Sequence, residues 1–509
     1  MLSMSSPHKT GLVAASNAFP RLPELSGQYT IQSLMSTDAI HFGTSGWRGI
    51  IAEDFTFERV RIAAAAIARH VRARHKSPTL LVGYDTRFFS EEFARAAAAV
   101  LRDEGCGVLV CATATPTPAI ALEIRRSKLQ GAINITASHN PAAYNGLKFS
   151  GPDGGPALPE VTHDIEGRAR KLANHPLPAA EFHNGKEFDL VDLRQPYFQR
   201  VTELVRLDVI AASKSRFVYD ALHGCGSGWL DRVLEEHAIK VHSIRTSRDV
   251  LFDGTGPDPS EDNLEALARA LGEMKAVAGL ATDGDADRFG IMDGDGTYIS
   301  PNHILALVFD YLIEARRWKL GAARSVATSH LIDAVARYHG TPVFETPVGF
   351  KYIGPFLEED KISLGGEESA GMTIRGHIPE KDGIVACLLV AEMIAARRCP
   401  IQDQLRDLFR RVGRAYWPVR VNLHFPPEII SSLPRRFASA FKEFGGRKIA
   451  RADRTDGLKF VFDDDSWVLM RPSGTEPLVR VYAEAESPEK SNRIAEEARK
   501  WIIQPTARG

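Results

Sequence analysis

Ser138 is the first candidate for chemistry, because it follows an apolar segment and is itself followed by His139, Asn140 and Pro141. The apolar run 131–135 predicts a buried strand, so the serine lies where a strand ends and the chain turns sharply. Ligands collect at strand ends in α/β sheets, which makes this hydroxyl a candidate to act on one. A serine at such a place can also be an ordinary turn residue, and the Ser-His pair alone favours that interpretation.

A second candidate site is formed by alternating aspartates on one short loop, Asp283, Asp285 and Asp287. The loop follows another predicted strand, 277–282. The three carboxylates would repel one another unless a hard divalent cation lies among their oxygens. A calcium-binding EF-hand would need glycine at the sixth place and glutamate at the twelfth, where this chain has Arg288 and Gly294. The loop therefore predicts a divalent metal site that is not a calcium sensor.

The aspartate loop also fits a chemistry in which one of its aspartates is the reacting group. Proteins of the haloacid-dehalogenase type also carry Asp-x-Asp after a strand, and Asp283 would then be the phosphoryl acceptor itself. Resemblance to that type would predict threonine or valine two places further on, where Asp287 stands. This alternative stays open as the runner-up to the mechanism that the family resemblance below implies.

Two further segments have residue types that could contact a ligand. Three glycines in the segment 43–49 let the backbone approach a ligand closely, and Arg48 could donate a charge-assisted hydrogen bond to phosphate. The segment 366–371 contains Glu367 and Ser369, and paired acceptors on a loop are what vicinal sugar hydroxyls require. Each segment alone would be more typical of a glycine-rich or acidic turn.

Two segments in the second half of the chain could bind anions. His377 and Lys381 precede an apolar helix, where they can bind an anion or exchange a proton, although capping of the helix by Asp382 would explain part of the pattern. The last such segment is a dense anion nest within 471–480, made of Arg471, Ser473, Gly474, Thr475 and Arg480.

Composition limits the function classes. With 509 residues the chain exceeds one hydrophobic core and predicts three or four domains. A net charge of −1 provides no global field for nucleic acid or for a membrane surface. Five scattered cysteines, an odd number, predict a reducing compartment, so we expect a cytoplasmic protein. We expect no membrane span, because no apolar run is long enough to cross a bilayer. We expect a small molecule as partner. A monomer and a homodimer both stay open.

Alternating apolar strands and amphipathic helices recur three times and predict α/β domains with largely parallel sheets. The last hundred residues change to antiparallel-looking strands with a terminal helix. The predicted limits are an N-terminal extension at 1–40 and four domains at 41–195, 196–302, 303–414 and 415–509.

Four strings in order, around Ser138, Asp283, Glu367 and Arg471, resemble the α-D-phosphohexomutase superfamily over residues 41 to 503. The resemblance implies three similar mixed α/β domains and a smaller C-terminal α+β domain around a central cleft. It also implies that Ser138 carries a phosphoryl group in the resting enzyme, beside one Mg²⁺ ion. The implied metal ligands are Ser138, Asp283, Asp285 and Asp287.

The same resemblance implies roles for the other candidate residues. Residues of the reaction itself would be Arg48, His139, Lys148 and Lys381, with the proton-transfer group left open among the last three. The sugar and its phosphates would be bound by Arg288, Lys351, Glu367, Ser369, His377, Arg471, Ser473, Gly474, Thr475 and Arg480.

The strings at 367–371 and 377–383 look most like members of the family that act on glucose phosphates. The expected reaction interconverts hexose 1-phosphate and hexose 6-phosphate, with glucose 1,6-bisphosphate as intermediate and activator. Mannose- or glucosamine-phosphate substrates stay open. An alternative of another class is a non-catalytic sugar-phosphate-binding protein on the same scaffold.

Overall fold

The computed structural model describes residues 40–173, 188–473 and 478–504, and within these residues four sheets follow one another along the chain. The first has the order β1-β5-β4-β2-β3-β6, with β2 parallel to β3 and β4, and β5 antiparallel to β4. Its strands are β1 (Trp47–Ile50), β2 (Thr79–Tyr84), β3 (Gly107–Cys111), β4 (Ala132–Ile135), β5 (Tyr144–Ser150) and β6 (Asp189–Val191). Its helices are α1 (Phe57–Arg72), α2 (Ser90–Asp103), α3 (Thr117–Arg126) and α4 (Pro159–Ala173).

The second sheet has the order β11-β10-β9-β7-β8 and again mixes parallel and antiparallel pairs. Its strands are β7 (Arg216–Asp220), β8 (Lys240–Ile244), β9 (Ala278–Thr282), β10 (Phe289–Asp293) and β11 (Tyr298–Ile299). The helices before and within it are α5 (Arg194–Leu204), α6 (Leu207–Ser213), α7 (Leu230–Glu236) and α8 (Glu265–Met274).

The third sheet has the order β13-β12-β14-β15. Its strands are β12 (Gly321–Ser325), β13 (Val343–Thr346), β14 (Ile362–Glu367) and β15 (Gly371–Ile374). Its helices are α9 (Pro301–Arg316), α10 (Leu331–His339), α11 (Gly354–Glu358), α12 (Gly383–Arg397) and α13 (Ile401–Val412). Helix α12 is buried on all sides, which is why its sequence is apolar almost throughout.

The fourth sheet is antiparallel, with the order β16-β21-β20-β19-β18-β17. Its strands are β16 (Trp417–His424), β17 (Glu443–Phe444), β18 (Arg447–Asp453), β19 (Leu458–Phe462), β20 (Trp467–Pro472) and β21 (Leu478–Ala485). Helices α14 (Pro427–Phe437) and α15 (Pro488–Ile503) accompany it. The predicted fold class, three α/β domains and a separate C-terminal domain, is confirmed, whereas the predicted domain limits stay predictions.

Among the described helices, none is both long and apolar enough to cross a bilayer.

Three of the candidate segments lie at the carboxyl ends of strands. The serine loop follows β4, the aspartate loop follows β9 and Glu367 ends β14. Backbone groups at strand ends have no partner within the sheet, so these loops are free to turn toward a ligand. The fold thus brings segments that are remote in sequence to one place.

The C-terminal sheet is joined to the third sheet through a buried lysine. Lys459 on β19 is 1% exposed, and its Nζ donates to the carbonyl oxygen of Val326 at 2.7 Å. The same Nζ lies 3.0 Å from Nε2 of His330 and 3.3 Å from a carboxylate oxygen of Glu345. Its ammonium group also lies 4.3 Å from the ring centroid of Trp467. This contact helps to hold the fourth sheet against the third.

The buried Lys459 makes stability depend on pH. Burial and then the charge of Arg324 lower the pKa of this lysine from 10.5 to about 8. Because the folded-state pKa lies below the unfolded one, the unfolded chain binds more protons between these values, and stability rises with pH there. We expect the wild type to gain about 2 kcal/mol in unfolding free energy relative to Lys459→Met between about pH 7 and pH 9.5.

Denaturant unfolding of both proteins at each pH measures this difference. The matched control is Lys448→Met. Lys448 lies on β18 with a side chain that is 79% exposed, so the difference in unfolding free energy between this variant and the wild type should not change with pH. A pH-independent difference for Lys459→Met would contradict the burial effect.

Candidate active site

Ser138 is buried at the turn after β4 and contacts the aspartate loop directly. Its Oγ donates a hydrogen bond of 2.7 Å to Oδ2 of Asp283, although 145 positions separate the two residues. The side chain is 1% exposed, and Nδ1 of His139 lies 3.3 Å from the same oxygen. The structure therefore brings the first two candidate sites together.

The serine loop has a left-handed turn that is stabilised by a buried arginine. Ser138 has φ +53°, a conformation that costs energy for a residue other than glycine and persists only where its surroundings hold it. Arg87 donates to the carbonyl oxygens of four residues of this loop, Ser138, Asn140, Pro141 and Tyr144, at 2.6–3.1 Å. The side chain of Arg87 is fully buried, with Nε 3.2 Å from Asp85 Oδ2.

The aspartate loop packs closely against the serine loop. A Cβ at Gly284 would lie 2.5 Å from the carbonyl oxygen of Ser138, closer than atoms can approach. The position therefore requires glycine, and the approach places the carboxylates beside the serine hydroxyl.

The three aspartates have the arrangement expected of a divalent metal site. One carboxylate oxygen of each lies within 4.8 Å of the other two, and all three side chains are at most 1% exposed. Oδ1 of Asp285 and Oδ1 of Asp287 are buried and have no hydrogen-bond partner among the described residues. Buried carboxylate oxygens without donors are costly, and hard oxygen ligands are those that Mg²⁺ prefers. These residues fit a magnesium ion.

Two lysines from other parts of the chain face the same carboxylates. Nζ of Lys148 lies 2.5 Å from Oδ2 of Asp285 and 2.7 Å from Oδ2 of Asp287. Nζ of Lys381 lies 3.1 Å from Oδ2 of Asp287 and 2.8 Å from Glu380. Both ammonium groups offset the negative charge of the loop.

The pKa values follow from this concentration of charge. Burial and then the charges of Asp285 and Asp287 raise the pKa of Asp283 well above its ordinary value. Burial alone would raise the pKa of Asp287 too, but Lys148 and Lys381 hold it well below the ordinary value. Burial would lower the pKa of both lysines, but the acids around them raise it instead.

Arg48 and Arg288 add positive charge beside the serine, and the ring of His139 lies near these groups and is neutral near neutral pH. Arg48 donates to Oδ1 of Asn140, and burial, followed by the charge of Arg288, lowers its pKa to about 10. Burial and the charges of both arginines lower the pKa of His139 well below its ordinary value. The backbone N–H of Arg288 donates to Oδ1 of Asp283 at 3.0 Å, so Arg288 is fixed to the aspartate loop.

The segment with Glu367 and Ser369 lies next to the aspartate loop. Phe289 N–H donates to the carbonyl oxygen of Ala370 at 3.2 Å, which joins the two loops. Glu367 is buried, and its Oε1 accepts from the N–H of Gly349 at 2.7 Å. Burial and then the charge of Glu368 raise the pKa of Glu367 to about 7. Ser369 is half-buried.

Lys351 and His377 differ in their surroundings. Lys351 is half-buried, and its Nζ lies 5.5 Å from the ring centroid of Tyr352. The ring of His377 is fully buried, and its Nε2 lies 2.8 Å from Oδ2 of Asp382, the residue that caps α12. In this arrangement His377 contacts the helix cap, and its predicted contact with substrate stays a prediction.

The predicted anion-binding segment at 471–480 is described in part. Arg471 on β20 donates from Nε to Oδ1 of Asp456 at 2.9 Å, and Oδ2 of Asp456 accepts from Val348 N–H at 3.0 Å. Arg480 on β21 is the cross-strand partner of Arg471, and Ser473 follows β20. Gly474 and Thr475 lie outside the described residues.

Sequence reasoning missed Arg87 and Asp456 as residues that position the site. The signal for Arg87 was its place after the Asp-Thr pair that follows β2, at the same sheet edge as Ser138. Asp456 carried no such signal, because its role depends on a contact between sheets.

Comparison with known proteins points to one family. Models of the phosphoglucomutase/phosphomannomutase family match the chain in four places. These are alpha/beta/alpha domain I at 39–175, domain II at 195–296, domain III at 300–412 and the C-terminal domain at 430–500.

Individual relatives match over most of their length. A phosphoglucomutase/phosphomannomutase of Thermococcus kodakarensis is 30% identical over 461 residues, covering 89% of this chain and 96% of the relative. A phosphoglucomutase of Komagataeibacter xylinus is 30% identical over 493 residues, covering 89% of this chain and 88% of the relative. Relatives at 28–30% identity are named probable phosphoglucosamine mutases.

The crystal structure of a putative phosphomannomutase from Thermus thermophilus superimposes with a TM-score of 0.80 at 32% identity, covering 92% of this chain and 99% of that one. The chain therefore belongs to the phosphoglucomutase/phosphomannomutase family of the α-D-phosphohexomutase superfamily, a family of phosphomutase enzymes.

Proposed function

We propose that the protein interconverts the 1-phosphate and the 6-phosphate of a hexose, with glucose phosphates as substrates, through a phosphoryl group carried on Ser138. The observation that carries this proposal is the hydrogen bond from Ser138 Oγ to Asp283, inside a group of three buried carboxylates. A buried serine hydroxyl beside oxygens that suit Mg²⁺ is the arrangement that a phosphoserine enzyme needs.

In the first half-reaction the bond between Ser138 Oγ and phosphorus breaks as the free hydroxyl oxygen of the bound hexose phosphate bonds to phosphorus. The hydroxyl proton leaves the sugar, and Ser138 Oγ gains a proton. The product is a hexose 1,6-bisphosphate. After this intermediate turns over in the cleft, the reverse transfer from its other phosphate restores phosphoserine and releases the isomeric monophosphate, so the phosphoryl groups balance.

The negative charge of the transferred phosphoryl group would be neutralised by groups around Ser138. Asp283, Asp285, Asp287 and a phosphoserine oxygen would hold a Mg²⁺ ion, which when bound supplies charge neutralisation for the transferred group. Support for this ion comes from an N-acetylphosphoglucosamine mutase of Aspergillus fumigatus with the same fold, at 16% identity and a TM-score of 0.51. That protein was solved in complex with GlcNAc-6P and magnesium.

Arg48 and His139 complete the environment of the moving phosphoryl group. Arg48, held by Asn140, is placed to donate to its oxygens. His139 lies 3.3 Å from Ser138 Oγ, and its lowered pKa keeps the ring neutral near neutral pH. We assign proton transfer to His139, because its ring lies beside Ser138 Oγ, whereas the ammonium groups of Lys148 and Lys381 contact the carboxylates of Asp285 and Asp287.

The sugar and the phosphate that is not transferred are assigned to the other loops. Glu367 and Ser369 would accept from and donate to ring hydroxyls, while Lys351, Arg288 and His377 complete the proposed sugar contacts. The distal phosphate would be bound by Arg471, Ser473, Gly474, Thr475 and Arg480. Since the substrate must bind in two orientations, contacts to hydroxyls that both orientations share are preferable to a one-sided pocket.

Phosphorylation of Ser138 can be tested by intact-mass analysis before and after incubation with glucose 1,6-bisphosphate. This bisphosphate was found bound to a variant of the Aspergillus mutase. We expect the wild type to gain one phosphoryl group, which peptide mapping places on Ser138, and the Ser138→Ala variant to gain none. A wild type that stays unphosphorylated would support a non-catalytic sugar-phosphate-binding protein. Phosphate on Asp283 would support the haloacid-dehalogenase-type mechanism.

The substrate is tested by an assay of glucose, mannose, glucosamine and ribose phosphates with Mg²⁺. We expect the largest kcat/KM for the glucose phosphates, because the Glu-Glu-Ser-Ala-Gly string at 367–371 resembles the glucose-specific members. Equal or higher kcat/KM for mannose or glucosamine phosphate would contradict the assignment of glucose without affecting the phosphoserine mechanism.

A further inference from the structure

Thr117 is the first residue of α3, a helix that belongs to the first sheet, and it binds the aspartate loop that follows β9 of the second sheet. Its Oγ1 donates to Oδ2 of Asp285 at 2.5 Å, and its backbone N–H donates to the carbonyl oxygen of Asp285 at 3.0 Å. The side chain is buried, at 3% exposure. A single residue therefore holds both the main chain and the side chain of an aspartate that lies 168 positions further along the chain.

The direction of the Thr117 hydroxyl is fixed by Asn134. Nδ2 of Asn134 donates to Oγ1 of Thr117 at 2.8 Å, so the hydroxyl accepts there and must turn its own proton to Asp285. Asn134 lies on β4, the strand that leads into the Ser138 loop. Two consecutive hydrogen bonds, from Asn134 to Thr117 and from Thr117 to Asp285, thus connect the strand that precedes Ser138 to the aspartate loop.

Both donors to Asp285 bind the same oxygen. Lys148 Nζ lies 2.5 Å from Oδ2, as does Oγ1 of Thr117, while Oδ1 is buried without a partner among the described residues. A carboxylate held through one oxygen cannot rotate freely, so the other oxygen keeps a fixed direction. That oxygen is the one available to a cation.

The two donors respond differently to a bound cation. An ammonium group near a divalent ion is repelled, and the repulsion is strong in a buried site. The neutral hydroxyl of Thr117 experiences no such repulsion and keeps its hydrogen bond. The orientation of Asp285 in the loaded enzyme then depends on Thr117 more than on Lys148.

We infer that Thr117 is a positioning residue for the divalent cation, orienting Asp285 through Oδ2 so that Oδ1 faces the ion. This inference rests on the proposed phosphoserine mechanism and its metal site. Hydrogen bonds to metal-ligating carboxylates from outside the ligand set commonly contribute about 10–100-fold to metal affinity.

The test compares Thr117→Val, which keeps the shape and removes the hydroxyl, with Thr117→Ser, which keeps the hydroxyl. Isothermal titration of the unphosphorylated proteins with MgCl₂ should show affinity weakened about 10–100-fold in Thr117→Val and near the wild-type value in Thr117→Ser. In the mutase assay Thr117→Val should need correspondingly more Mg²⁺ for half-maximal rate, while KM for the sugar phosphate stays unchanged.

Thr115→Val is the matched control, since Thr115 is equally buried but its hydroxyl donates to the carbonyl of Thr113. It should bind Mg²⁺ as the wild type does. If Thr117→Val does not fold, Thr117→Ala removes the same hydroxyl and allows the same comparison. Wild-type Mg²⁺ affinity in the folded Val or Ala variant would overturn the inference. A wild type that becomes phosphorylated on Ser138 but binds no Mg²⁺ would overturn the metal site and the inference together, leaving phosphoserine chemistry in place.

Discussion

Three carboxylates buried on five consecutive residues are the constraint on which the rest of the structure depends. Asp283, Asp285 and Asp287 are at most 1% exposed, and such charges are costly to bury unless opposite charges and donors surround them. The compensating groups cannot come from the same short loop alone. They come from the first sheet, through Lys148 on β5, and from the segment before α12, through Lys381. The negative loop is therefore stable only where separate parts of the chain converge.

The same convergence explains the shape of the serine loop. Ser138 reaches Asp283 only because the chain turns through a left-handed conformation that Arg87 stabilises by four carbonyl contacts. Gly284 allows the two loops to approach. The strained backbone of Ser138, the buried Arg87 and the close approach at Gly284 therefore depend on one another. Each would be unfavourable without the other two. The proposed function depends on this arrangement, because it requires contact between the Ser138 hydroxyl and the proposed metal ligand Asp283.

The C-terminal sheet takes part through different contacts. Asp456 joins Arg471 to the backbone of Val348, and Gly349 next to it donates to Glu367. The proposed phosphate-binding segment around Arg471 and the proposed sugar-binding segment around Glu367 are thereby linked through residues 348–349. A substrate that presents its ring to one loop and its phosphate to the other would contact both ends of this linkage.

Much of the site could be predicted from the sequence, because its chemistry is contained in short contiguous strings. Alternating aspartates after a strand indicate a cation, and strand ends indicate where loops meet a ligand. Arg87, Thr117 and Asp456 could not be assigned in this way, because each acts through hydrogen bonds to segments far away in the chain. His377 shows the opposite problem: its position before a helix suits anion binding, yet its ring packs on the capping residue Asp382. Helix α14 was not predicted, and a proline at position 434 lies inside it.

The proposed mechanism requires that a phosphoryl group on Ser138 and a divalent ion among the three aspartates occupy one site. Phosphorus NMR of the phosphorylated protein during titration with Mn²⁺, a paramagnetic substitute for Mg²⁺, tests this directly. We expect the phosphoserine resonance to broaden beyond detection at one equivalent of bound Mn²⁺. A resonance that stays sharp while electron paramagnetic resonance shows Mn²⁺ bound to the protein would place the ion elsewhere and contradict the mechanism.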